Sequence, residues 1–541
     1  MLASKKLTMG LLAGLMAVVL LAVACGGGGT AITETVTQAA TTQTTTQTTT
    51  QTATQTTTQT ATVTEEIKSG GVLRVGMESS FNTIDPPLVL EMPDLNIVQH
   101  TYDTLVMRNP DLSLQPMLAT SWEPNDDATQ WTFHLREGVQ FHHGKEFKAE
   151  DVVFTFNRMF EVASPLASTL PEDMNVVAVD DHTVRFEFST PYAPLLDSVV
   201  KYHAMITPSD VDPERFLTET LGTGPFIMTE HVIGEYTHFK KNENYWWEGH
   251  PYLDEWYFIY LPDPTARAEA LKAGTVDVVY NLTASSVPTL TDHPDTYVAQ
   301  APTGGYMNLA MNVTEPPFDN KLVRQALQAV TDRETILQVA QFGLGGIAYD
   351  HPITATDPFF NPDCMPPDYD PDLARDLLAQ AGYPDGIDLT LSTSTSGAAM
   401  VEMATVMKEK AAPAGIRIEI EVLSEDNYWS DGWMVAPFTT VWWGGRPPHE
   451  AFSIVYLSGG SWNESFYSNP EVDRLIAEGA STGDTEARKK AYGELQCLVI
   501  DEVPRIIPVF QPGLIGMRYN VHGLEPMWDK MLQLHRTWLE E

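Results

Sequence analysis

Residues 118–158 read LATSWEPNDDATQWTFHLREGVQFHHGKEFKAEDVVFTFNR, and their pattern decides the fold. Residues 120–124 read as the end of a strand, and Asn125-Asp126-Asp127 as a turn. Asn and Asp suit a turn because they tolerate left-handed backbone and bond their own main chain. Trp131-Thr132-Phe133-His134-Leu135 alternates with a period of two, which predicts a half-buried strand. Glu137-Gly138 and His142-His143-Gly144-Lys145 turn the chain. From Glu150 to Phe160, apolar Val152, Val153, Phe156, Met159 and Phe160 fall at helical spacing.

This succession resembles the family 5 solute-binding proteins of ABC importers. The match lies in the Ser121-Trp122 pair with its acidic turn, the W-x-F-x-L-R-x-G-V-x-F core from Trp131, and the F-x-A-E-D-V-x-F-x-F helix start from Phe147. His143 stands where the family usually has Asp, and Lys148 where a Thr usually caps the helix. A lost cap costs about 1 kcal/mol, too little to threaten the fold.

Further family motifs extend over roughly residues 69–525. They begin with the opening G-G-V-L-R-V-G strand at 70–76 and the loop ending in Asp85-Pro86-Pro87. Gly222-Thr223-Gly224-Pro225-Phe226 matches the crossover back to the first lobe, and residues 317–333 (PFDNKLVRQALQAVTDR) match a second-lobe helix. In residues 369–383, Asp370-Pro371 supplies an N-cap and a first-turn proline, and Gly382 closes the helix. A helix is expected over 96–105, a strand over 306–312 and another over 415–422.

The resemblance implies an α/β, two-lobed periplasmic-binding-protein type II fold (cluster C) with an additional subdomain. Lobe I would comprise 69–107, 222–305 and 513–541, the extra subdomain 108–221, and lobe II 306–512. Ligand would bind between the lobes and favour the closed state.

The first 68 residues carry a different signal. Residues 1–24 hold Lys5-Lys6 and an apolar run over 11–24, a signal-peptide pattern. Small residues before Cys25 resemble a lipobox, with Ala22 where Leu is usual, so Cys25 is the expected lipidated residue. Residues 25–68 then read as a disordered tether. Between 30 and 64, twenty residues are Thr and Gln recurs every fourth position from Gln43 to Gln59. Such a stretch has no apolar bulk from which to build a core. As a flexible coil it would span roughly 30–35 Å.

The 541 residues carry 72 acidic and 32 basic side chains, a net charge of −40. That excludes nucleic acid as a natural partner and suits a protein that stays soluble outside the cell. Apart from Cys25, only Cys364 and Cys497 are present, compatible with one disulfide in an exported protein or with two buried thiols.

No catalytic signature appears: there is no G-x-S-x-G, H-E-x-x-H, Walker loop or spaced cysteine pair. The reading is therefore a binding protein, not an enzyme, with neither cofactor nor metal. His134, His142 and His143 are not read as a metal site: His142 and His143 fill a family turn, and adjacent strand residues face opposite ways. The informative stretch is TVWWGGRPPH, residues 440–449. Peptide-binding relatives carry W-x-x-D here, and their Asp pairs with the peptide's amino terminus. This chain places Arg446 at that position. A guanidinium repels an ammonium and takes a carboxylate through two parallel bonds.

The expected ligand-binding residues are Arg446, Trp443, Trp442, Tyr306, Ser80, Phe81 and His449. The aromatic residues would wall the cleft. Ser80 and Phe81 follow the first strand's end, where ligands meet loops in α/β proteins. His449 is included because nickel-binding relatives use a cleft histidine. Trp429 and Trp462 fit core packing slightly better than a cleft wall.

The resemblance thus implies a monomeric, extracytoplasmic substrate-binding component of an ABC importer. It would take a peptide or other small organic solute, deliver it to a permease with its ATPase, and be held to the membrane through Cys25. A sensor or chaperone-like binder, or a receptor for a nickel complex or an oligosaccharide, fits the same fold.

Overall fold

The computed structural model describes residues 67–395, 399–460, 462–527 and 529–540. The expected signal peptide, Cys25 and almost all of the tether lie outside them.

The opening stretch folds as its periodicity predicts. Gln130–Leu135 buries Trp131, Phe133 and Leu135 and turns the alternate side chains outward. It is the second strand of a four-stranded antiparallel sheet ordered Ala119–Pro124, Gln130–Leu135, Thr183–Glu187, Asn175–Asp180. The helix Ala149–Glu161 lays Val152, Phe156 and Met159 on that sheet, each fully buried. Phe156 meets Phe186 edge-on with ring centroids 4.8 Å apart.

Both departures from the family pattern are accommodated. Lys148 cannot cap the helix through an acceptor, but the Asp151 carboxylate accepts the Lys148 backbone N–H at 2.9 Å. That is one half of a capping box. The Lys148 ammonium reaches Asp181 at 2.7 Å, and His143 bonds Asp210 at 3.1 Å. The three histidines face different partners: His134 meets Glu123, and His142 lies between the carbonyls of Thr220 and Gly224. Among the described residues no three His, Cys, Asp or Glu side chains gather as a metal ion would require.

The rest of the chain is organised by one eleven-stranded sheet. Its order is Ile416–Leu423, Ile387–Ser394, Phe438–Trp443, Thr296–Met311, Arg505–Arg518, Val278–Val279, Val72–Met77, Glu255–Tyr260, Tyr236–Lys241, Phe226–Val232, with Gly346–Ile347 also on Arg505–Arg518. The two long strands, Thr296–Met311 and Arg505–Arg518, run through both halves. Their pairing breaks between Pro302 and Tyr306. On one side of the break the core gathers Leu73, Val75, Phe239, Trp256 and Phe258. On the other it gathers Leu309, Leu391, Met407, Phe438 and Ile506. Separate cores joined by two shared strands make a two-lobed α/β molecule.

Two glycines explain one family motif. A Cβ on Gly222 would lie 2.2 Å from the Thr101 carbonyl oxygen, and one on Gly224 2.5 Å from the Thr101 carbonyl carbon. The crossover passes too close to the helix Met92–Thr101 for any side chain at either position.

Cys364 and Cys497 form a disulfide, with Cα atoms 5.1 Å apart. It joins the loop before the helix Pro371–Gln380 to the helix Thr485–Glu502.

Candidate functional site

Where the long strands change partners, backbones cross closely. A Cβ on Gly304 would come within 3.1 Å of the Gly445 Cα. The strand Phe438–Trp443 ends just before this crossing. Gly444 and Gly445 carry the chain across, and Pro447 and Pro448 start the helix Pro448–Tyr456. A proline suits a first helical turn, where its missing N–H costs nothing. This geometry delivers Arg446 to the wall of a cleft of about 960 Å³, its open mouth included. The opposite walls come from residues 92–117, 200–205 and 527–535.

Arg446 does not stand alone there. Its Nε is 3.1 Å from Glu450 Oε1, one helical turn away. Its Nη1 donates to the Gly444 carbonyl at 3.1 Å, and the guanidinium lies 5.1 Å from the Trp443 ring centroid. Lys201, from across the cleft, places its ammonium 2.8 Å from Glu450 Oε2. Burial raises the Glu450 carboxyl, but Lys201 and Arg446 outweigh it and leave its pKa below the ordinary value. Two cations, one from each side of the cleft, therefore share one carboxylate.

Further contacts join the same two sides. The Ala193 N–H donates to the Ala480 carbonyl at 2.8 Å, and Arg488 lies 3.9 Å from Asp197. Arg108 donates to Asp197 at 2.6 Å and lines the cleft together with Arg446. Asp103, also on the wall, is pushed up to about 6 by burial, against the donors Trp246 at 2.8 Å, Thr223 at 2.9 Å and Tyr245 at 3.1 Å.

The structure scatters the other expected ligand residues. Trp442 and Trp443 take opposite faces of their strand, Trp442 41% exposed and Trp443 6%. Trp443 is packed in the core, and its indole N–H donates to Glu464 at 2.7 Å. Tyr306 is in the same core, its pKa pushed up to about 12 by burial. His449 is hydrogen-bonded to Tyr492 at 3.2 Å, and burial lowers its pKa to about 4. Ser80 accepts the Gly234 N–H at 3.1 Å, and Phe81 packs on His231 with centroids 4.2 Å apart. Of these seven residues, Arg446 alone lines the 960 Å³ cleft. Trp462 packs against the core, as expected, whereas Trp429 is 43% exposed.

Lys201, Glu450, Arg108 and Asp103 are cleft residues that the sequence reading did not name. The four-residue step from Arg446 to Glu450, running into a proline-started helix, is a signal that finds Glu450. Nothing local marks the other three.

This chain matches the family model described as bacterial extracellular solute-binding proteins, family 5, over residues 113–464. It is similar to heme-binding protein A of Haemophilus influenzae, 28% identical over 477 residues, covering 81% of this chain and 87% of the relative. It is also similar to the glutathione-binding protein GsiB of Escherichia coli (strain K12), 26% identical over 486 residues, 84% of this chain and 92% of the relative. Among solved structures it resembles the ABC transporter-associated periplasmic binding protein DppA from Helicobacter pylori in complex with the peptide STSA. There the TM-score is 0.77 and the identity 25%, over 88% of this chain and 99% of the other. The chain belongs to the family 5 extracellular solute-binding proteins. It is a substrate-binding component of the ABC import type, with the two-lobed fold of that family.

Proposed function

We propose that this protein captures a peptide or other small organic solute bearing an acidic group in the cleft at Arg446, and hands it to a membrane permease with its ATPase. The observation that carries this reading is the pair of cations, Lys201 and Arg446, on the single carboxylate of Glu450. Arg446 presents a cation at the position where peptide-binding relatives present an acid to an amine. An incoming carboxylate would take up the guanidinium face that Glu450 leaves unused. Binding of glutathione by GsiB and of a peptide by DppA, as their names state, supports a peptide-like solute.

The division into lobe I (69–107, 222–305, 513–541), extra subdomain (108–221) and lobe II (306–512) accords with separate hydrophobic cores, except that Leu105 and Val106 pack in the subdomain's core. The protein is not an enzyme on this reading, and it works as a monomer. Ser80, Phe81, Tyr306, Trp442, Trp443 and His449 would shape or support the cleft rather than anchor the acid. Cys25 would carry the lipid that holds the chain at the outer face of the membrane. Release of a Cys25→Ser variant into the medium supports that anchor, and its retention on the membrane refutes it.

Isothermal titration against glutathione, di- to tetrapeptides and their C-terminal amides tests the anchor. Free carboxylates should bind better than the amides, and Arg446→Ala should weaken the best of them about tenfold or more. Unchanged affinity in Arg446→Ala would refute the assignment.

A further inference from the structure

The cleft has a second feature, built from a histidine and two methionines. His535 sits in the short turn Leu534–Arg536 and is only 4% exposed. Neither of its ring nitrogens has a hydrogen-bond partner among the described residues. The nearby His100 shows what a structural histidine looks like in this region. Its Nδ1–H donates to the Asn96 carbonyl at 2.5 Å, and its Nε2 accepts the Leu534 N–H at 3.2 Å. Both are buried, their ring centroids are 6.4 Å apart, and one is satisfied at both nitrogens while the other is satisfied at neither.

An unpaired buried polar group is costly, and native proteins hold few of them. The surroundings of His535 do not call for an imidazole. Its ring lies 5.8 Å from Trp247 and 6.3 Å from Tyr245, centroid to centroid. A phenylalanine would fill that space without the cost.

His535 does, however, border two spaces. It lines the 960 Å³ cleft and an adjoining space of about 560 Å³, and Met107, Met527 and Gln533 line both as well. Two flexible thioether side chains and one imidazole thus stand between the cleft and a side chamber. Methionine walls adapt to varied apolar shapes.

We propose that His535 reads an uncharged amide group on an apolar portion of the solute, and that this portion passes between Met107 and Met527 toward the side chamber. Burial, reinforced by His100, His250 and Arg536, lowers the His535 pKa to about 3, so the ring is neutral at working pH. A neutral imidazole offers one N–H donor and one lone-pair acceptor. An amide offers the complementary carbonyl and N–H. A carboxylate has no proton to give, and an ammonium has no lone pair to accept with. The two nitrogens diverge from the ring, so successive amides of one chain can use both. Within the acidic solute proposed above, this assigns a second requirement: a neutral, amide-bearing apolar segment beyond the charged anchor. The inference rests on the cleft being the solute site.

The test needs no knowledge of the natural cargo. Full-length protein carrying ¹⁵N-labelled histidine, freed of copurifying solute by dialysis, is titrated with benzamide, toluene and benzoate while its imidazole resonances are followed by NMR. Benzamide should shift the His535 signals and bind about five- to tenfold tighter than either toluene or benzoate. His535→Phe, which keeps the packing, should bring benzamide level with toluene, and His535→Gln should restore part of the difference. Equal binding of benzamide and toluene by the parent protein would overturn the proposal, as would absence of benzamide binding. So would a benzamide preference that survives in His535→Phe. If that variant does not fold, the parent titration decides alone. Failure of the cleft reading shows elsewhere, as absence of binding by every peptide in calorimetry while the benzamide result stands.

Discussion

Glu450 stands in the first turn of the helix Pro448–Tyr456 and Glu464 lies beyond its end; each holds an arginine, yet their surroundings differ. Both side chains of the Glu464–Arg505 pair are 0% exposed. Glu464 also accepts the indole N–H groups of Trp443 at 2.7 Å and Trp433 at 3.2 Å. All of these partners lie between residues 433 and 505, inside one lobe. The pair therefore bridges no two walls of the cleft. Glu450 keeps 18% exposure, and one of its two partners, Lys201, comes from the other side of the cleft. A motion that separates the two sides of the cleft would break that contact. A buried ion pair is structural when its partners travel together, and it is a closing contact when they do not.

The largest effect should follow from breaking the inner pair. Arg505→Ala leaves the Glu464 charge buried without its cation and should cost about 3–5 kcal/mol in urea unfolding. Replacing both, Glu464→Gln with Arg505→Met, should cost much less, because the desolvation penalty of both charges disappears. Equal losses in the single and double variants would show that packing, not charge, holds this centre. Next in size is the disulfide, which belongs to the same lobe and closes a loop of sequence separation 133. Cys497→Ser should lower stability by about 2–4 kcal/mol. It should leave the affinity for an acidic peptide unchanged in calorimetry.

The same division separates what the sequence revealed from what it hid. The subdomain was legible because each element carries its own period: Trp131, Phe133 and Leu135 alternate, and Val152, Phe156 and Met159 step along a helix. The first helix was placed late, over 96–105, whereas it spans Met92–Thr101. Pro93, a first-turn proline, marks that earlier start. The disulfide stayed open because two cysteines far apart in sequence carry no local sign of contact. Arg446 was legible as a charge inversion against the family motif. Its setting was not, since Lys201 arrives from a distant segment and only tertiary folding sets the two on one carboxylate. His535 has no sequence signature at all. Its meaning lies in the hydrogen bonds it does not make.

Smaller effects should come from the closing contact. Lys201→Ala leaves Glu450 with Arg446, so global stability should fall by less than in Arg505→Ala, which leaves its carboxylate without any cation. The expected change is in shape. Small-angle scattering of the solute-free protein should show a larger radius of gyration for Lys201→Ala than for the parent, while Arg505→Met with Glu464→Gln should not. Identical scattering for Lys201→Ala and the parent would remove the distinction between the two glutamates.

Acid should act on the same contact without any substitution. With Lys201 and Arg446 both on it, the Glu450 carboxyl is held below its ordinary pKa, because the two cations outweigh the burial that raises it. If the two sides separate and Lys201 is withdrawn, it should return toward its ordinary value of 4.5. A group whose pKa is lower in one state stabilises that state fully above the higher pKa and loses the effect as pH falls through the lower one. The Glu450 contribution to closure is therefore intact at neutral pH. It declines as the solution is acidified below 4.5. Scattering measured from neutral pH downward should show the parent protein expanding in that acid range before global unfolding, with Lys201→Ala already expanded and changing less. Glu450→Gln removes the titrating group and should abolish this step. A step that persists in Glu450→Gln would assign the acid response to another group and leave Glu450 as inert as Glu464.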